Sequence, residues 1–141
     1  MSNILVINGP NLNLLGVREP EIYGEKSLDQ INQELTNIAK KYGCSLEAYQ
    51  SNSESELVNI VQEKSQTTDY MILNPGAFTH YSYAIRDAIS AVEIPTVEVH
   101  LSDIHNREDF RQQSVISSVC KKQISGLGKQ SYLKGLEVLL K

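Results

Sequence analysis

Short apolar runs alternate with stretches of helical periodicity from one end of the chain to the other, and this restricts the fold more than any other feature. Ile4-Leu5-Val6-Ile7 is a continuous apolar run stopped by Asn8-Gly9-Pro10, the pattern of a strand buried on both faces. Ser27 with Gln30 three residues on marks a capping box. Leu28, Ile31, Leu35, Ile38, Ala39 and Tyr42 then share one helical face, up to a stop at Gly43. Leu46 and Ala48 belong to a second strand ending in Gln50-Ser51-Asn52, and Ser53 with Glu56 caps a helix carrying Leu57, Ile60 and Val61. Residues 69–73 read as a third strand, closed by Asn74-Pro75-Gly76, with a helix from Tyr81 onward carrying Ile85, Ala88, Ile89 and Val92. A fourth strand covers 94–99 and stops at His100, a fifth covers 119–124, and Tyr132, Leu133, Leu136, Leu139 and Leu140 line a last helix.

Five strands, each followed by a helix or loop, predict a parallel sheet covered on both faces. The expected architecture is one flavodoxin-like doubly wound α/β domain over residues 1–141, with the strand order left open. Residues 11–26 have little periodicity and exceed a routine connector of about 2–6 residues, so a functional loop or lid over about 18–25 is expected. The net charge of −4 is spread along the chain, which argues against nucleic acid as the main partner. Cys44 and Cys120 have no metal-type spacing and read as two reduced thiols. No apolar run approaches the roughly 20 residues of a membrane span, and the opening MSNILVINGP carries no export pattern, so a cytoplasmic protein is expected.

Ligands of open α/β sheets bind beyond the carboxyl ends of the strands. Here those ends carry Asn8 and Asn11, Gln50 and Asn52, Asn74 and His80, and His100 with Ser102 and Asp103. Amides, hydroxyls and imidazoles on one rim suit a polyhydroxylated small molecule. His80, His100 and His105, all the histidines of the chain, fall on or near that rim. A single histidine is more often structural than catalytic, and three together weaken that reading. His100 is the candidate general acid, because strand alternation sets it beside Glu98 provided the strand runs that far. Arg18, Glu19, Glu21 and Tyr23 form either a solvated charged loop or a site for a phenolate base. In the second case Arg18 helps to lower a tyrosine pKa by about 3 units, roughly 4 kcal/mol. Arg107 and Arg111, four apart, are expected on one helix face with Glu108 between them, either solvated or anchoring a substrate. Gly126 and Gly128 do not make a dinucleotide loop, and no metal-ligand cluster is visible, so no cofactor is expected.

The runs ILVINGPNLNLLGVREPEIYG, QSNSESELV, LNPGAFTHYSYAIRDAI, VEVHLSDIHNREDFRQQS and ISGLGKQSYLKGLEVLL span nearly the whole chain in order. Together they resemble the type II 3-dehydroquinate dehydratases. The resemblance implies a hydro-lyase of the shikimate pathway of aromatic amino acid biosynthesis. Such an enzyme converts 3-dehydroquinate reversibly to 3-dehydroshikimate by anti elimination through an enolate. On this match Tyr23 takes the C2 proton with its pKa lowered by Arg18, and His100, oriented by Glu98, protonates the departing C1 hydroxyl. Asn11 holds a water against the enolate oxygen. Asn74, Leu101 and Ser102 surround the substrate carboxylate, His80 and Arg111 bind hydroxyls, Arg107 contacts the lid, and Asp87 reaches a neighbouring subunit's site. A homododecamer, a tetramer of trimers, is implied as well. The chain departs from the usual pattern at Ser55, Asp103 and Ser131, and Asp103 adds a negative charge beside the carboxylate-binding segment. A flavin carrier or a phospho-receiver is the competing reading. The first wants a Ser/Thr-Gly phosphate loop where this chain has GPNLNLLG, and the second an acidic cluster where it has amides.

Overall fold

The apolar runs pair into one parallel five-stranded sheet in the order β2-β1-β3-β4-β5, with β1 Ser2–Asn8, β2 Cys44–Gln50, β3 Tyr70–Asn74, β4 Thr96–Val99 and β5 Lys122–Ile124. The computed structural model describes residues 2–17, 19–23 and 26–141, and of Pro20 and Tyr23 the backbone alone. Arg18 and the Tyr23 side chain, two of the expected catalytic groups, therefore lie outside the described residues, as do Gly24 and Glu25 of the expected lid. Around the sheet are α1 Pro20–Tyr23, α2 Leu28–Lys41, α3 Glu54–Lys64, α4 Tyr83–Val92 and α5 Gln130–Leu140.

Strand parity decides which side chains meet which layer. Ile4, Val6, Ile72, Val97 and Val99 pack with Leu35 and Ala39 of α2 and Leu136 and Leu139 of α5. Leu5, Ile7, Met71 and Leu73 face the other way, against Leu57 and Val61 of α3 and Ile85, Ala88 and Ile89 of α4. The expected doubly wound, flavodoxin-like sandwich is thus the one observed, and the 2-1-3-4-5 order puts its switch point between β1 and β3.

Local chemistry sets the element ends. Ser27 Oγ accepts the Gln30 amide at 3.2 Å and Gln30 Oε1 accepts the Ser27 amide at 2.9 Å, so the capping box is complete. Ser53 caps α3 and Ser82 caps α4 through their hydroxyls. The helix expected from Tyr81 therefore begins two residues later, after a 3-10 turn over Gly76–His80. The fifth strand is also shorter than the expected 119–124, because Ser117–Val119 turns as a 3-10 helix and only Lys122–Ile124 pair with β4. Among the described residues no helix is long and apolar enough to cross a membrane.

At the switch point the β1 and β3 corners lie backbone against backbone. A Cβ on Gly9 would stand 2.3 Å from the Pro75 carbonyl oxygen, and one on Gly76 would stand 3.1 Å from that of Pro10. Gly9→Ala is expected to lower unfolding stability by about 2–3 kcal/mol, since the obstacle is main chain and cannot turn aside. Urea denaturation of the variant beside the wild type checks this, and a loss under about 0.5 kcal/mol contradicts it.

Candidate active site

The pocket at the carboxyl rim is lined by Asn11 after β1, by Asn74 at the end of β3 and His80 beyond it, and by His100, Leu101 and Ser102 after β4. Arg107 and Arg111 complete its outer wall. Eight of the residues expected in the site therefore surround one cavity. Glu98 lies directly behind them. Asp87 is exposed on α4 and is absent from the lining, and His105 is exposed and also outside it.

Alternation carries from Glu98 to His100 even though β4 ends at Val99, because the His100 amide still donates to the Ile124 carbonyl at 2.9 Å. The His100 Nε2 then sits 2.5 Å from Glu98 Oε2. An ionised carboxylate only accepts, so Nε2 carries the proton and Nδ1 is the ring nitrogen free of this pair. Glu98 is fully buried and is held by more than the imidazole. Thr79 Oγ1 donates to Oε2, Ser114 Oγ lies 3.0 Å from both carboxylate oxygens, and Gln123 Nε2 donates at 3.2 Å. Burial by itself raises the Glu98 pKa, but the bond and charge of His100, with the Thr79 and Gln123 bonds, outweigh it and leave the carboxyl below its ordinary range. The result is a buried carboxylate kept ionised under an imidazole.

His80 differs. Its Nδ1 lies 2.6 Å from the Gln113 carbonyl, which can only accept, so Nδ1 is protonated and Nε2 is left as an acceptor. Burial, then the positive neighbours His100 and Arg111, lower its pKa against the pull of Gln113 and Glu98. A neutral His80 can accept from a substrate hydroxyl while His100 supplies the proton chemistry.

The remaining polar groups are aimed by their own elements. Asn11 adopts a left-handed backbone (φ 69), with its amide donating to Asn52 Oδ1 at 3.0 Å, and this turns the 3-10 helix Leu12–Leu14 off the rim. The Leu101 and Ser102 carbonyls accept from Gly128 and Gly126, while among the described residues neither of their amides donates to a protein acceptor. Two adjacent N–H groups in a pocket wall suit an anion such as a carboxylate.

The expectation that Arg107 and Arg111 share one helix needs correction. Arg107 follows the 3-10 turn Ile104–Asn106 in extended backbone, and Arg111 ends a separate turn, Asp109–Arg111. In a continuous helix the Arg107 carbonyl would take the Arg111 amide. Here Gln112 Nε2 takes that carbonyl at 2.8 Å, and the Arg111 amide bonds Glu108 instead. Glu108 nevertheless pairs with both guanidinium groups, at 3.9 Å and 3.0 Å, and Arg107 Nη1 reaches Ser102 Oγ at 3.2 Å.

Two departures from the family pattern have structural uses. The Asp103 carboxylate accepts the His105 amide and the Asn106 side chain, so its charge is turned to its own loop and away from the pocket lining. Ser131 is fully buried, and its hydroxyl accepts the Leu127 amide at 3.2 Å. Sequence reasoning missed Thr79, Ser114 and Gln123 around Glu98. Only Gln123 left a trace, since it pairs with Glu98 across β4 and β5, and that pairing needed the strand order.

Fold and pocket together place this chain among flavodoxin-like α/β enzymes equipped for acid–base work on a small polar molecule. It belongs to the class II dehydroquinase family: the profile described as "Dehydroquinase class II" matches residues 2–140. The chain is 53% identical over 133 residues to a 3-dehydroquinate dehydratase of Pelotomaculum thermopropionicum, covering 94% of this chain and 92% of that protein. It is 50% identical over 140 residues to one of Halothermothrix orenii, covering 99% and 95%. Among solved structures, the type II dehydroquinase of Butyrivibrio crossotus superimposes with a TM-score of 0.96 at 44% identity, over 99% of this chain and 98% of that one.

Proposed function

We propose that this class II dehydroquinase dehydrates 3-dehydroquinate to 3-dehydroshikimate in the rim pocket, by anti elimination through an enolate. The observation that carries the mechanism is the His100–Glu98 pair, a proton donor on an ionised buried carboxylate within a pocket of hydrogen-bond donors. Tyr23, with its phenolate favoured by Arg18, takes the proton at C2, and the C–H electron pair moves into the enolate. Asn11 holds a water against that developing oxyanion. The enolate then re-forms the carbonyl and expels the C1 oxygen, which takes a proton from imidazolium His100 through Nδ1 and leaves as water. Asn74 and the Leu101 and Ser102 amides hold the carboxylate, His80 and Arg111 the ring hydroxyls, and Arg107 the closed lid. The step uses no cofactor.

The proposal extends to a homododecamer, a tetramer of trimers in which Asp87 faces a neighbour's site, and the exposure of Asp87 on α4 supports it. It extends also to one catalytic domain with a lid over about 18–25, working in the cytoplasm, where the free Cys44 and Cys120 stay reduced.

An ultraviolet assay with 3-dehydroquinate, following the conjugated enone carboxylate, tests the reading. Wild type is expected to turn over and to survive borohydride, while Tyr23→Phe loses about 10²–10⁴-fold in kcat. Inactivation by borohydride with substrate points to a Schiff base and removes the enolate route. No turnover by wild type leaves the fold serving another ligand, with a flavin or phospho-receiver module next in line.

A further inference from the structure

Behind the pocket a buried chain of polar groups crosses from α5 to the ends of β1 and β3, and of its members the proposed chemistry uses Asn74 alone. Asn74 Nδ2 donates to the Tyr132 phenol oxygen at 2.9 Å, and the phenol donates to Asn8 Oδ1 at 2.6 Å. Tyr132 and Asn8 are fully buried and Asn74 nearly so. The direction of this chain is dictated. Asn74 Oδ1 accepts the Gly76 amide at 3.1 Å, so the nitrogen of the same side chain is the atom against the phenol. Receiving that donor, the phenol spends its one hydrogen on Asn8. Burial raises the Tyr132 pKa, so the hydrogen stays in place. Asn8 Nδ2 meanwhile is buried with no hydrogen-bond partner among the described residues. The fold accepts an unpaired amide nitrogen there to keep an acceptor in front of Tyr132.

We propose that Tyr132 is a positioning residue of this site: its phenol, clamped between Asn8 and Asn74, locks the Asn74 amide so that its second N–H is presented to the pocket. The consequence for the ligand is specific. Position 74 then presents a donor to the pocket, so it recognises an oxygen with a free lone pair, such as a carboxylate oxygen. This rests on the reading of the pocket as the dehydratase site, and the test separates the two.

Tyr132→Phe keeps the ring and deletes only the relay. KM for 3-dehydroquinate is expected to rise about tenfold with kcat within about twofold, the mark of a lost contact made equally in ground and transition states. In an Asn74→Ala background the same change is expected to alter KM by less than about twofold, because the group it orients is gone. Amide hydrogen exchange at Gly76, whose acceptor is the side-chain Oδ1 of Asn74, is expected to quicken about tenfold in Tyr132→Phe with no substrate present. Should Tyr132→Phe not fold, Asn8→Ala takes its place: it removes the phenol's acceptor, frees the Asn74 amide to turn over, and should give the same KM rise and faster Gly76 exchange. Unchanged Gly76 exchange overturns the relay. Faster exchange or a lower melting temperature with KM unchanged makes Tyr132 structural and overturns the positioning role. Wild type without turnover removes the dehydratase reading, and the exchange experiment then judges the relay alone.

Discussion

His100→Ala is expected to reduce kcat for 3-dehydroquinate by about 10²–10⁴-fold while KM changes less than about threefold. The ring is held from behind, with Nε2 at 2.5 Å from Glu98, so its other nitrogen is the only one able to serve a leaving hydroxyl. His80, the other imidazole of the pocket, cannot substitute, since its Nδ1 is committed to the Gln113 carbonyl and burial and positive neighbours keep it neutral. Removing an acid needed only as the C–O bond breaks should spare substrate binding. Added imidazole should restore part of the rate to the alanine variant. Steady-state kinetics decide the matter, and a variant within tenfold of wild-type kcat would place the acid elsewhere.

Glu98→Ala carries the largest expected loss of stability, about 3–5 kcal/mol in urea unfolding at pH 7, because it strands a buried imidazole and three further donors. Activity should fall with it, as His100 loses the partner that orients it. Glu98→Gln supplies the pH arm. The Glu98 carboxyl titrates below its ordinary value, so its share of stability is fully present above about pH 4.3 and is lost as pH falls through the lower folded value. Wild type should therefore lose stability on that acid limb, and the glutamine variant should show a flatter limb from a lower starting point. Two limbs of equal slope would mean that Glu98 is not the group titrating there.

What the residues disclosed was local. The Ser27–Gln30 box, the strand ends and the Glu98–His100 alternation all rest on spacings of two to four residues, and all are present in the fold. Strand order depends on which faces meet across the whole chain, so it became visible only in the structure. The fifth strand is shorter than the apolar pattern suggests because it is an edge strand paired with β4 alone, and Val119 is partly buried against the core cluster without pairing. The spacing of Arg107 and Arg111 fits one helix, but the segment folds as two separate turns and the Arg107 carbonyl accepts from the Gln112 side chain. Thr79, Ser114 and Gln123 reach Glu98 from 19, 16 and 25 residues away, and Tyr132 reaches Asn74 from 58. Hydroxyls and amides at such separations carry no periodicity, so nothing in the one-dimensional pattern marks them. Arg18 and Tyr23 are close enough in sequence to suggest a phenolate base, and the resemblance adds their roles, but Arg18 and the Tyr23 side chain lie outside the described residues.

The crossed corners of β1 and β3 bear on how such a pocket can change over time. Each glycine there faces the main chain of the other corner, so neither half can accept a side chain unless its counterpart gives way. A single substitution on that wall harms the protein before any second one can compensate, which freezes the floor of the crevice as a paired unit. The wall after β4 is joined differently, since Arg107 follows one short turn, Arg111 ends another, and the two are linked through the Glu108 and Gln112 side chains. Novelty in what this scaffold accepts, natural or engineered, therefore has one open door, along residues 103–113, and the opposite wall remains an heirloom.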